Sequence, residues 1–136
     1  MFEVFEHTAD LGLRITAPDL EGLFAEAGRG LASLIVANLE EVRPLQVREI
    51  TIAGKETDYL LFDWLTELLY IFDTERLLLV DFQIQIDDQG LRATCRGESI
   101  DATRHQMDRE VKAITYHGLR VEPTDQGWQA EVIVDI

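Results

Sequence analysis

Three short stretches of this sequence carry side chains with usable chemistry. In the first, His7-Thr8-Ala9-Asp10, an imidazole and a carboxylate sit on the corner between two apolar-alternating runs. The second, Lys112-Ala113-Ile114-Thr115-Tyr116-His117, holds an ammonium, a phenol and an imidazole within six residues. In the third, Asp135-Ile136, an alternating strand pattern continues to the last residue, so the α-carboxylate of Ile136 is expected beside the Asp135 side chain. Two fixed negative charges repel unless something cationic sits between them. A carboxylate from Asp10 would complete an oxygen-rich set suited to a hard divalent cation such as Ca2+ or Mg2+. Zinc would instead prefer His and Cys ligands.

Each of these residues also has an ordinary role open to it. An Asp at a hairpin corner commonly caps backbone N–H groups. Lys112 reads equally as a solvated strand lysine, and His7 and His117 as hydrogen-bonded structural histidines. If the Lys112 segment stays a regular strand, Lys112, Ile114 and Tyr116 face one way while Thr115 and His117 face the other. Gly118 can introduce a bulge that changes this. A metal-dependent hydrolase would use His7, Asp10, Lys112 and His117 as general base, ligand and phosphate clamp. Against it, the chain offers few metal-binding nitrogens and no nucleophile with an evident partner. There is no Walker loop, GxGxxG, GxSxG, HExxH or EF-hand loop, so any site must be assembled from distant segments.

The elements that must position these groups are legible in the periodicity. Leu11, Leu13 and Ile15 alternate as in a half-buried strand, and Pro18 ends it. Asp19 is a helix N-cap candidate, followed by an apolar stripe from Leu20 to about Val36. Gly28 and Gly30 lie inside that helix and weaken it by about 1 kcal/mol each relative to Ala, unless close packing uses them. "PLQVREITIAG" reads as a strand, and Thr57 or Asp58 as the cap of a second helix, "DYLLFDWLTELLYIFDTE". Its Leu60, Leu61, Trp64, Leu65, Leu68, Leu69 and Phe72 cover well over half the circumference, as in a central core helix or, alternatively, a partner-binding one. "LLLVDFQIQI" and "LRATCRGES" form a hairpin around Asp87-Asp88-Gln89-Gly90, with Cys95 on its apolar face. "DATRHQMDRE" reads as a polar connector before "VKAITYHGLRVEP", and "WQAEVIVDI" closes the chain as a strand. Two amphipathic helices over a mainly antiparallel sheet make an α+β layered domain spanning residues 1–136.

Composition narrows the function classes. The 136 residues carry a net charge of −14, with 12 basic residues of which only Lys55 and Lys112 are lysines. Affinity for nucleic acid rests on Lys and Arg displacing counterions from phosphates, so strong direct binding is not expected. A basic protein partner or a metal ion suits this surface better. No apolar run approaches the length of a membrane span, and the start lacks the basic character of a signal peptide, which leads to the expectation of a cytoplasmic protein with no membrane role. The single cysteine excludes an internal disulfide and a Cys-based zinc cluster.

The chemistry-bearing stretches also carry a family resemblance. "HTADLGL", "DYLLFDWLTELLYIFD", "VKAITYHGLRV" and "VIVDI", in that order, resemble the archease family across essentially the full chain. The family often carries Asn where this chain has Thr66, a position assigned no role here. The resemblance implies an accessory protein without catalysis of its own. Such proteins activate the GTP-dependent RNA ligase of the RtcB type in tRNA splicing and RNA repair, promoting its guanylylation and multiple turnover. It further implies a divalent cation, Ca2+ ahead of Mg2+, held by Asp10, Asp135 and a terminal oxygen of Ile136. It gives Lys112 a functional role, with His7, Tyr116 and His117 beside it on the partner-activating side. A chaperone-like adaptor ranks second and the hydrolase third.

Overall fold

The computed structural model describes residues 1–136. Its strands are β1 (Phe2–His7), β2 (Asp10–Ala17), β3 (Gln46–Ala53), β4 (Leu77–Asp87), β5 (Gly90–Ser99), β6 (Ala113–Ile114), β7 (Arg120–Thr124) and β8 (Gly127–Asp135). The helices are α1 (Leu20–Ile35) and α2 (Thr57–Glu75), with a short 3-10 turn at Leu39–Glu41. One sheet has five strands in the order β1-β2-β8-β6, and β7 shares the far edge of β8 with β6. The other has three, β3-β5-β4. Every pairing is antiparallel, which is the expected α+β architecture. Neither helix is long and apolar enough to cross a membrane.

Helix α1 begins as its sequence dictates, with the Asp19 carboxylate accepting the Gly22 N–H at 2.7 Å. Its two glycines have separate uses. A Cβ on Gly28 would lie 2.7 Å from the Phe82 ring on β4, while one on Gly30 would meet Leu13 of β2 at 3.2 Å and Phe2 of β1 at 3.3 Å. Positions i and i+2 point about 200° apart on a helix. The two glycines therefore let one helix nest against both sheets at once. Trp64, fully buried on α2, donates its indole N–H to the Phe24 carbonyl at 2.9 Å and ties the helices together.

Two local expectations are corrected. Helix α2 takes no side-chain cap from Thr57 or Asp58: its N-cap position is Glu56, and the Asp58 carboxylate instead accepts the Val121 N–H at 2.9 Å, anchoring β7. The Lys112 segment is not one strand. It pairs only at Ala113–Ile114, turns through Tyr116–Leu119 with Gly118 at φ +65°, and resumes as β7. The seven apolar residues read on α2 are all buried, part of a cluster of 33 buried residues, so its apolar stripe belongs to the core. Cys95 is buried too, and that burial pushes its thiol up to about 12, which makes it a packing residue.

The connector "DATRHQMDRE" holds a buried polar network that its composition does not announce. Glu98, only 6% exposed, accepts the Arg43 N–H at 2.6 Å and pairs with Arg104. His105, 3% exposed, accepts the Asp101 N–H on Nδ1 at 2.9 Å, and its Nε2 lies 3.3 Å from Glu98. Further along, the Asp108 and Arg109 N–H groups donate to the Ile35 and Leu34 carbonyls at the end of α1. This irregular segment is thereby held in place and delivers Lys112 to a defined position.

The close approach of α1 and β4 is testable. Gly28→Leu should destabilise the protein by about 1–3 kcal/mol through overpacking against Phe82, despite regaining roughly 1 kcal/mol of helix propensity. Urea unfolding of Gly28→Leu, Phe82→Ala and the double variant checks this: the two effects should be clearly non-additive, because the smaller residue makes room for the larger.

Candidate functional site

The outer face of the five-stranded sheet, away from α1, is organised in rows that run across the strands. Leu11, Leu13 and Ile15 of β2 and Ala130, Val132 and Val134 of β8 are buried toward the core, so the alternate residues face outward. Glu3, Arg14, Glu131 and Arg120 stand directly opposite one another on β1, β2, β8 and β7. Arg14 binds Glu3 and Glu131, each at 3.0 Å, and Arg120 binds Glu131 at 3.1 Å. Every carboxylate in that row meets a guanidinium. Burial acts to raise the Glu131 carboxyl, and the two arginines more than offset it, holding it below the usual carboxylate range.

The next row is apolar. Phe5 lies over Gly12, where any Cβ would overlap its ring, and Ile133 beside them is buried. A row further on, His7 pairs with Asp10, and Asp135 pairs with Ala113. The β2–β8 ladder ends with Leu11 opposite Val134, so one step beyond it Asp10 stands opposite Asp135. Cross-strand neighbours have Cα atoms about 4.5–5.5 Å apart. Neither Asp10 nor Asp135 enters an ion pair. The same face that neutralises its carboxylates two rows away leaves these two facing each other without a cation.

The corner that carries Asp10 is strained. Thr8 adopts φ +54°, a left-handed conformation that a β-branched residue seldom takes. This closes the hairpin in two residues and turns His7 and Asp10 onto the same row. The His7 ring meets the His117 ring edge-on at a centroid distance of 5.3 Å, and its buried Nδ1 has no hydrogen-bond partner. Asp135 is fixed from the other side, its carbonyl accepting the Lys112 N–H at 2.8 Å. Ile136 is partly buried against the core cluster.

The structure brings some of the sequence candidates together and separates others. His7, Asp10, Asp135 and His117 share the outer face. Lys112 leaves on the opposite face, because its neighbour Ala113 already pairs with Asp135 and successive residues alternate. Lys112 lines a cavity of about 620 Å³ whose walls carry Arg76 and Arg109 together with Asp73, Asp108 and Glu110. Tyr116 also turns away from the outer face, stacking on Phe62 of α2 at 3.9 Å. The segment is not a regular strand, yet Ile114 is buried, Tyr116 stacks toward α2 and His117 meets His7 on the outer face. The hydrolase arrangement, which needs Lys112 beside Asp10, is not assembled.

As a cation site the donor set suits a hard ion: two carboxylates in cross-strand register, unneutralised, on a rigid sheet. Side chains of His, Cys, Asp and Glu do not by themselves converge into a group of three here, so main-chain or water oxygens would complete a coordination sphere. The orphaned Nδ1 of His7 adds a polar atom on the same row.

The sequence model of the Archease protein family matches residues 2–136. A protein archease of Pyrococcus abyssi is 39% identical over 140 residues, covering 99% of this chain and 98% of that protein. One from Methanopyrus kandleri is 38% identical over 139 residues, covering 99% of each. The solution structure of Methanobacterium thermoautotrophicum protein 1598 superposes with a TM-score of 0.85 at 36% identity, covering 99% of this chain and 98% of that one. The crystal structure of an archease from Thermotoga maritima, itself described as a possible chaperone, shares the fold with a TM-score of 0.71 at 23% identity, over 100% and 98% of the chains.

Two outcomes are expected from these electrostatics. Glu98, Glu131, Asp101 and Glu75 are all held below their ordinary carboxylate values, so their contribution to stability is complete above about pH 4.5 and is lost as pH falls through the lowered values. Chemical denaturation as a function of pH should thus be flat down to the mid-fours and decline below. Asp135→Asn removes the repulsion with Asp10. In dilute, chelator-treated buffer it should raise the melting temperature slightly, and about 1 M NaCl should abolish the difference.

Proposed function

Because this chain belongs to the archease family, we propose that it is a cation-binding accessory protein that activates an RtcB-type GTP-dependent RNA ligase. It promotes guanylylation of the ligase and its repeated turnover in tRNA splicing and RNA repair. The observation that carries this reading is the unneutralised pair Asp10 and Asp135, on a face whose other carboxylates are all matched by arginine. A net charge of −14 suits approach to a ligase surface built to hold RNA and nucleotide.

The side chains of Asp10 and Asp135, with a main-chain oxygen of Ile136, are the groups that would hold a divalent cation, Ca2+ before Mg2+ given the irregular oxygen set. When bound, such an ion supplies positive charge that can pair with phosphate oxygens. The chain's own contributions are of another kind. The β2–β8 register holds the two carboxylates apart at a fixed spacing. His7 and His117 wall the row on one side, and the strained Thr8 corner keeps the hairpin tip short enough to enter a partner's cleft. Lys112, on the opposite face, lines a cavity of mixed charge with Arg76, Arg109, Asp73, Asp108 and Glu110, and as a cation that enters no ion pair it is open to an acidic group of the ligase.

A multiple-turnover ligation assay with the cognate ligase tests the proposal. Wild-type protein should raise product beyond one equivalent of ligase, and Asp10→Ala or Asp135→Ala should cut stimulation by at least about tenfold while the fold is retained. The cation should raise the melting temperature of wild-type protein and not that of either variant. Full stimulation by the folded Asp10→Ala, Asp135→Ala double variant would refute the proposal.

A further inference from the structure

Next to the acidic row lies a surface that the cation site does not use. Tyr59 at the start of α2 and Tyr116 in the turn after β6 are each 57% exposed. Their rings meet at a centroid distance of 5.8 Å and an angle of 69°, and the Tyr116 ring rests on Phe62 at 3.9 Å and 14°. The stacking holds the rings in place while both tyrosines remain accessible. They line an open cavity of about 490 Å³ together with Glu56, Asp58 and Leu119, and no basic residue lines it. Asp58 has one oxygen engaged by the Val121 N–H, and Glu56 enters no ion pair. The patch lies round the sheet edge from the acidic row: His117, which follows Tyr116, meets His7 on the outer face, while the Tyr116 ring turns to the helix side.

Exposed aromatic faces next to unpaired carboxylates are the chemistry that recognises a guanidinium. An arginine can lie flat on a tyrosine ring while its N–H groups reach a carboxylate. Tyr and Arg, with Trp, are also the residues most enriched among the strong contacts of protein interfaces. Nucleic acid, whose bases stack on aromatics as well, needs nearby cations for its phosphates, and this cavity supplies only anions. We propose that Tyr59, Tyr116, Glu56 and Asp58 form a docking site for an arginine-bearing surface segment of the protein partner. The proposal rests on the ligase reading above, and it assigns partner docking to a patch separate from the Asp10–Asp135 row.

The test is calorimetric titration of the cognate RtcB-type ligase with wild-type protein, a Tyr59→Ala, Tyr116→Ala double variant, a Tyr59→Phe, Tyr116→Phe double variant, and Glu56→Gln. The alanine pair should weaken binding by roughly ten- to a hundredfold. The phenylalanine pair keeps the rings and should bind within about threefold of wild type, which also shows that the fold does not depend on the hydroxyls. Wild-type affinity should fall with salt, less steeply for Glu56→Gln. Equal binding by the alanine pair and wild type overturns the docking site while leaving the ligase reading intact. Equal loss in both double variants overturns it too, because hydroxyl hydrogen bonds and not ring faces would then carry the contact. A single-stranded RNA oligonucleotide that binds wild-type protein and not the alanine pair would make the patch an RNA platform, again overturning it. Failure of wild-type protein to bind the ligase at all would remove the ligase reading and this inference together.

Discussion

The register between β2 and β8 is the constraint on which the rest depends. β8 carries the most pairings of its sheet, with β2 on one side and both β6 and β7 on the other. Leu11, Leu13 and Ile15 and their opposites Val134, Val132 and Ala130 are all buried. Side chains alternate across a sheet with period two, so a slip of one residue would expose that set and turn Arg14, Glu131 and Asp135 into the core. The apolar core therefore fixes the register, and the register fixes which carboxylates stand opposite each other. Nothing local to Asp10 or Asp135 holds them together; the packing on the other face of the sheet does.

On that fixed grid, charge is used in two ways in rows four residues apart along the strands. Glu3, Arg14, Glu131 and Arg120 alternate in sign across four strands and stabilise the sheet they cross. Exposed pairs of this kind contribute little individually, but a network in register with the ladder also disfavours slippage. At the tip the same device is left incomplete, with two carboxylates and no guanidinium. Unmatched like charges are a local cost to folding that a binding partner can relieve. The strained φ of Thr8 lies at the same corner, so two departures from local consistency coincide on the residues with the most reactive chemistry.

The helices serve this arrangement by rigidity. Gly28 and Gly30 let α1 lie close to both sheets, and α2 buries the apolar residues that would otherwise make it sticky. Toward β7, the start of α2 presents Tyr59, the half-buried Phe62 beneath Tyr116, and Asp58 reaching across the gap, while Tyr70 is exposed further along the helix. The irregular stretch between β5 and β6 is held by the buried Glu98, Arg104 and His105 cluster and by main-chain bonds to the end of α1. These side-chain and main-chain bonds stand in place of ladder bonds along the irregular stretch.

The sequence by itself determined the elements whose signal is periodic: the buried stripe of α1 with its Asp19 cap, the apolar circumference of α2, the β4–β5 hairpin and the alternation of β8. Each follows from short-range spacing of apolar residues, which is a local property. The sequence also determined the chemical identity of the candidate groups, and the alternation that sends Lys112 and His117 to opposite faces. Tertiary structure alone decided which of those groups meet. It placed Asp10 across from Asp135, moved Lys112 to a cavity with Arg76 and Arg109, diverted Asp58 from capping its own helix to anchoring β7, and buried Glu98 and His105 inside what reads as a polar connector. These are contacts between residues up to 125 positions apart. They are set by how two sheets and two helices share one core, and no periodicity along the chain encodes that.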